Sequence, residues 1–179
     1  NNNGNWGIGY GSHNTITNNT ITNISNGIRN TDAANSKIEN NFVNVFSQGI
    51  YNENSTNTSI TSNIIQSDGT SIYSNGDSEL VIKFNLLTTE NARGIDCHNQ
   101  CGLEFSNNTL ISDNSSDYGM HISIQSSPLI YNNILAGFFN GIYVENDLLN
   151  TEIKNNNLFN ISGMQYDGNA MPVLIGQYV

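Results

Sequence analysis

The chain has 179 residues, a formal net charge of −10 and only five cationic side chains, Arg29, Lys37, Lys83, Arg93 and Lys154. So acidic a balance excludes a nucleic-acid phosphate footprint and an anionic-membrane patch as expected partners. No apolar run approaches the roughly 18 residues of a membrane-spanning helix, so no membrane insertion is expected.

From the N-terminus onward one unit repeats. Its first mark is Gly-Ile or a close variant: Gly7-Ile8, Gly27-Ile28, Gly49-Ile50, Ser71-Ile72, Gly94-Ile95, Gly119-Met120, Gly141-Ile142 and Gly163-Met164. Successive steps are 20, 22, 22, 23, 25, 22 and 22 residues. The second mark is an asparagine on the same beat, at Asn19, Asn41, Asn63, Asn85, Asn108, Asn133 and Asn156. Three residues before each stands Ile16, Ile38, Ile60, Ile82, Phe105, Ile130 or Ile153; two residues after stands Ile21, Val43, Ile65, Leu87, Leu110, Leu135 or Leu158. Self-similarity at this period indicates a solenoid. The 35 asparagines therefore belong to an ordered pattern and not to low-complexity disorder.

Each unit offers three short apolar sites separated by Asn, Ser, Thr and Gly, and nowhere a long stripe at helical period. β-Branched residues suit pleats, and Asn tolerates left-handed turns. Three strands and three turns per coil predict an all-β, single-stranded parallel β-helix of about seven coils, over residues 1–166. The remainder, 167–179, is expected as a C-terminal cap or a connection to further sequence. At a strand spacing of roughly 4.8 Å the seven asparagines stack, and their amides can bond along the stack.

The Gly-Ile strand and the turn seen in Ile38-Glu39-Asn40-Asn41-Phe42-Val43 and Ile130-Tyr131-Asn132-Asn133-Ile134-Leu135 resemble the right-handed parallel β-helix repeat family of the pectate-lyase-like superfamily. The resemblance covers residues 5 to 166. It implies the right-handed fold and leaves function open, since the family includes polysaccharide lyases, glycoside hydrolases, tailspikes, adhesins and non-catalytic surface proteins.

Strand side chains alternate, so if Ile28 and its equivalents point inward, the residue after each points out. That stripe reads Gly9, Arg29, Tyr51, Tyr73, Asp96, His121, Tyr143, Gln165, with Arg93, Asp117 and Tyr118 just before the strands. Asp96 and His121 fall on adjacent coils, within hydrogen-bond reach. Tyr73, Tyr143 and Tyr118, with Asp117, form the expected carbohydrate-binding surface; Asp96, His121 and Arg93 are the catalytic candidates. A lyase would use His121 or Tyr143 as base and Arg93 to neutralise the uronate carboxyl. A hydrolase would need a second carboxylate beside Asp96, for which Asp117 is the candidate. Neither set is complete, so the residues leave catalysis open.

Five residues after each ladder asparagine come Ile24, Phe46, Asp68, Glu90, Asp113, Phe138 and Ile161. The central Asp68, Glu90 and Asp113 either splay into solvent or share a cation, for which Ca2+ is the expected ion. Cys97 and Cys101 are open to three readings: unpaired thiols, a disulfide suited to an oxidising compartment, or zinc ligands with His98. The chain begins without an initiator Met or signal peptide and reads as a mature product or a piece of something longer. Its first coil starts almost at once, so further domains or head-to-tail self-association are expected to cover that end. The functional expectation is an extracellular or cell-surface β-helix engaging carbohydrate along the stripe. The alternative is a non-catalytic structural or adhesive module of a surface protein, fibre or tailspike.

Overall fold

A computed structural model describes residues 6–9, 12–77, 79–99, 104–113, 117–123, 128–145 and 151–168. It is an all-β parallel solenoid. Among the described residues, 22 strands fall into three parallel sheets along the solenoid, one of eight strands and two of seven, with every third strand paired in sequence order. The first sheet runs from Trp6–Gly9 to Tyr166–Gly168, the second from Thr15–Thr17 to Glu152–Lys154, and the third from Thr20–Ile24 to Asn157–Phe159. Among the described residues no helix is long and apolar enough to cross a membrane.

The expected apolar ladders line the interior. Ile28, Ile50, Ile72, Ile95, Met120 and Ile142 of the first sheet have no solvent exposure. They pack with Ile38, Ile60, Ile82, Phe105, Ile130 and Ile153 of the second sheet and Val43, Ile65, Leu87, Leu110 and Leu135 of the third. Where glycine precedes the first-sheet rung it is a close-approach position: a Cβ at Gly94 would lie 2.6 Å from Leu110 Cδ2 and 2.7 Å from the Gly119 carbonyl oxygen.

The asparagine ladder forms as expected. Each side-chain amide donates to the Oδ1 of the next asparagine, as Asn63 does to Asn85 at 3.1 Å and Asn85 to Asn108 at 3.0 Å. The backbone N–H of Asn63 adds a bond to the same Oδ1 of Asn85 at 2.9 Å. The residue before each ladder asparagine is left-handed: Asn18, Asn40, Ser62, Phe84, Asn107, Asn132 and Asn155 all have φ between 54° and 57°. Five of the seven are Asn, which visits this region at little cost.

The structure corrects the sequence register in two places. In the last coil Ile142 pairs with Tyr166 and Tyr143 with Asp167, so the step is 24 residues and Asp167, not Gln165, continues the outward stripe. Met164, expected inward, is 58% exposed. A shift in the first pair of the third sheet sets Ile24 against Val45 and not beside Phe46. The line from Ile24 to Ile161 is accordingly not one face: Phe46 is exposed and Phe138 buried. Of the segment 167–179, expected to cap or connect, Asp167 and Gly168 belong to the last strand, and 169–179 lies outside the described residues.

The two long steps in mid-chain have one address. From each second-sheet rung to its third-sheet rung is always five residues, as in Ile82 to Leu87. The turn back to the first sheet runs seven residues in Ile65 to Ile72, eight in Leu87 to Ile95 and ten in Leu110 to Met120. These two longer turns carry Arg93 and Asp117.

Candidate metal centre

Two neighbouring strands of the first sheet, Ile95–His98 and Tyr118–Ile122, hold the most concentrated chemistry among the described residues. Their parallel register sets Asp96 against His121, both outward because Ile95 and Met120 point into the core. His98 stands two residues beyond Asp96 and so shares its face, with buried Cys97 between them on the other.

Three nitrogens converge on Oδ1 of Asp96. His98 Nε2 lies 2.8 Å away and His121 Nδ1 3.0 Å away. Nη1 of Arg93 donates to the same oxygen at 2.8 Å. Nε and Nη2 of Arg93 meanwhile hold Oδ2 of Asp117, each at 3.1 Å. Burial by itself would push the Asp96 carboxyl up. The hydrogen bonds from His121 and Arg93, with the Arg93 charge, outweigh it and hold the group below the usual carboxylate range.

The imidazoles are fixed from behind. Nδ1 of His98 is 2.8 Å from Oγ of Ser123, which in turn donates to the Cys97 carbonyl at 3.4 Å. His121 lies flat against Tyr143, ring centroids 4.9 Å apart at 6°. His98 sits between Tyr73 and His121 at 5.6 and 5.4 Å.

Asp96, His98 and His121 are the one group of three or more His, Cys, Asp or Glu residues among those described whose ligand atoms all lie within 4.8 Å of one another. Ligand atoms bound about 2 Å from a common ion sit near 3 Å apart, which is the spacing of both imidazole nitrogens from Oδ1. If Nδ1 of His98 donates to Ser123, its Nε2 turns a lone pair on the carboxylate oxygen. A metal ion bound beside both atoms would satisfy that lone pair, as would a proton on Nε2 that turns the contact into an N–H donor to the carboxylate. A backing partner that fixes the imidazole tautomer is the usual second shell of a metal-ligating histidine.

The other expected residues distribute as follows. Tyr73, Tyr143 and Tyr118 share the outward strip, half-buried, with Arg93 at its edge and exposed Asp117 beyond it. The strip is longer than the sequence suggested: Trp6 joins it against Tyr51, and Tyr51 and Tyr73, already expected there, stack at 5.1 Å and 9°. Stacked faces, as between Tyr51 and Tyr73 and between His121 and Tyr143, cover each other, while Trp6 and Tyr118 meet their neighbours tilted. Burial and the neighbouring Glu53 push the Tyr51 hydroxyl up to about 12. Burial likewise raises Tyr118, whose hydroxyl donates to Asp167 at 3.1 Å.

The expected catalytic pairing of Asp96 with Asp117 has Arg93 between the carboxylates, and Asp96 is held low where a general acid needs a raised pKa. Asp68, Glu90 and Asp113 stand one residue beyond the paired Ser67, Thr89 and Ser112, all exposed, and do not gather their oxygens as the histidine cluster does. Cys97 is disulfide-bonded and wholly buried, which removes the free-thiol and zinc-thiolate readings; Cys101 lies outside the described residues. His98 was the residue the stripe omitted. Its signal was its place two residues after Asp96, which shared period-2 alternation would have supplied.

A family model described as periplasmic copper-binding protein (NosD) matches residues 1–171. No curated protein and no solved structure matches.

Proposed function

The chain belongs to the NosD family, and from that membership we propose that it is a periplasmic β-helix that binds copper through Asp96, His98 and His121. One observation carries the reading: His98 Nε2 and His121 Nδ1 converge on one buried carboxylate oxygen at 2.8 and 3.0 Å. Two imidazoles and a carboxylate suit Cu2+, which heads the divalent affinity order for a given nitrogen and oxygen site. With Cys97 in a disulfide, the set offers no thiolate to favour Cu+. Bound copper would supply a Lewis-acidic, redox-active centre on the outward strip. Asp96 would contribute the compensating charge, and Ser123 would hold the His98 tautomer. The net charge of −10 favours approach of a cation.

Titration calorimetry of metal-free protein with Cu2+, read beside electron paramagnetic resonance for nitrogen hyperfine coupling, tests this. One equivalent should bind in the wild type, and His98→Ala and His121→Ala should each weaken it at least about tenfold. Unchanged binding in both variants would remove the cluster as the site.

A second reading keeps the carbohydrate expectation. The hydroxyls of Tyr73, Tyr118 and Tyr143 belong to the same strip, and they suit hydrogen bonding to sugars. Glycan binding that vanishes in Tyr143→Ala, with copper titration unchanged, would favour it.

A further inference from the structure

We infer that Arg93 is a resident cation that occupies the Asp96 carboxylate in the metal-free protein and withdraws to Asp117 when a metal ion binds, setting the affinity threshold of the site. The inference rests on the copper reading of Asp96, His98 and His121. Oδ1 of Asp96 is the common acceptor of Arg93, His98 and His121. A divalent ion held by the two imidazoles and this carboxylate would therefore enter beside a guanidinium already 2.8 Å from the same oxygen. Like charges that close oppose each other strongly in a partly buried site. Either the ion fails to bind or Arg93 gives way.

The structure provides the place for it to go. Nε and Nη2 of Arg93 are already engaged by Asp117, and only Nη1 reaches Asp96. The guanidinium also lies over the Tyr118 ring, 5.8 Å from its centroid. Releasing one hydrogen bond would leave two others and the ring contact in place. Asp117 has half its side chain exposed and sits on the longest of the turns back to the first sheet. A cation shuttling between two carboxylates costs every divalent ion the same increment. Ions with intrinsically weak affinity for nitrogen ligands, such as Mg2+ and Ca2+, then fall below useful binding, while Cu2+, strongest in the order, still displaces the arginine.

The test compares Cu2+ affinities by competition titration for wild type, Arg93→Met, Arg93→Lys, Asp117→Asn and His98→Ala, each shown folded by its circular dichroism and melting in chelator. Arg93→Met keeps an apolar stem over Tyr118 and removes the charge; its affinity should rise about tenfold, equivalent to about 1.4 kcal/mol. Arg93→Lys keeps the charge and should stay near wild type. Asp117→Asn removes the fallback partner and should weaken binding. Weaker or unchanged binding in Arg93→Met would overturn the inference and identify Arg93 as support for Asp96. If wild type and His98→Ala bind alike, the copper reading itself fails, whatever Arg93 does; if they differ while Arg93→Met does not tighten, the reading stands and only the role of Arg93 falls.

Discussion

Replacing Asn85 by alanine should be among the most costly single changes in the solenoid. Its Nδ2 donates to the Ile60 carbonyl at 2.9 Å, the Lys83 carbonyl at 3.0 Å and Asn108 Oδ1 at 3.0 Å. Its Oδ1 accepts the Asn63 backbone N–H at 2.9 Å and the Asn63 amide at 3.1 Å. The side chain is 2% exposed, so water cannot replace these bonds. Truncation leaves two or three buried groups unpaired, each costing about 1–3 kcal/mol, which sums to about 3–5 kcal/mol after partial relaxation. Asn19, the first rung, is only half-buried and has no preceding rung among the described residues; Asn19→Ala should cost about 1–2 kcal/mol. Urea unfolding followed by circular dichroism measures both, with equal m-values checked because solenoids depart from two-state behaviour. A loss below about 1 kcal/mol for Asn85→Ala, or equal losses at the two positions, would refute the argument that the ladder is a buried, cooperative network.

Phe84 stands left-handed at φ 57° with its ring 59% exposed, where most coils carry Asn. Phe84→Asn should relieve about 1 kcal/mol of backbone strain and raise the melting temperature by about 2–4 °C; a fall would show that the ring contributes packing. The carboxyl of Asp96 is held below its usual range in the fold, by the His121 and Arg93 hydrogen bonds against the opposing effect of burial. A depressed folded pKa gives stability that is present above the unfolded value, about 3.9, and lost as pH falls through the folded one. In chelator, the stability gap between wild type and Asp96→Asn should therefore narrow as pH falls below about 4; a gap that widens over that acid range would contradict the assigned direction.

Much of the chain was legible because a solenoid turns one-dimensional spacing into three-dimensional neighbourhood. Residues at a common offset stack, so Asn19 to Asn156 could be read as a ladder and Ile38, Ile60 and Ile82 as a core rung. The outward stripe of Tyr73, Asp96, His121 and Tyr143 followed from alternation alone. Even the site's location was encoded, since the long steps of 23 and 25 residues are the turns that carry Arg93 and Asp117. The offset rule failed where the repeat is irregular: Gly163-Met164 imitates the Gly-Ile mark, yet Tyr166 fills the inward position because the last turn is longer.

The sequence by itself determined the fold, the ladder, the strip and the acidic surface, because each depends on backbone periodicity and residue type. Tertiary structure decided what the strip can do. Whether Tyr51 offers its face to a ligand or to Tyr73, whether Arg93 pairs with Asp96, Asp117 or both, and whether His98 joins His121 on one oxygen are matters of side-chain ends meeting across coils. Those meetings depend on rotamers and on turn lengths of one to three residues, and the charge of a neighbouring side chain fixes which of them is favourable. Spacing along the chain brings such groups to adjacent coils; only packing in space selects the atoms that touch.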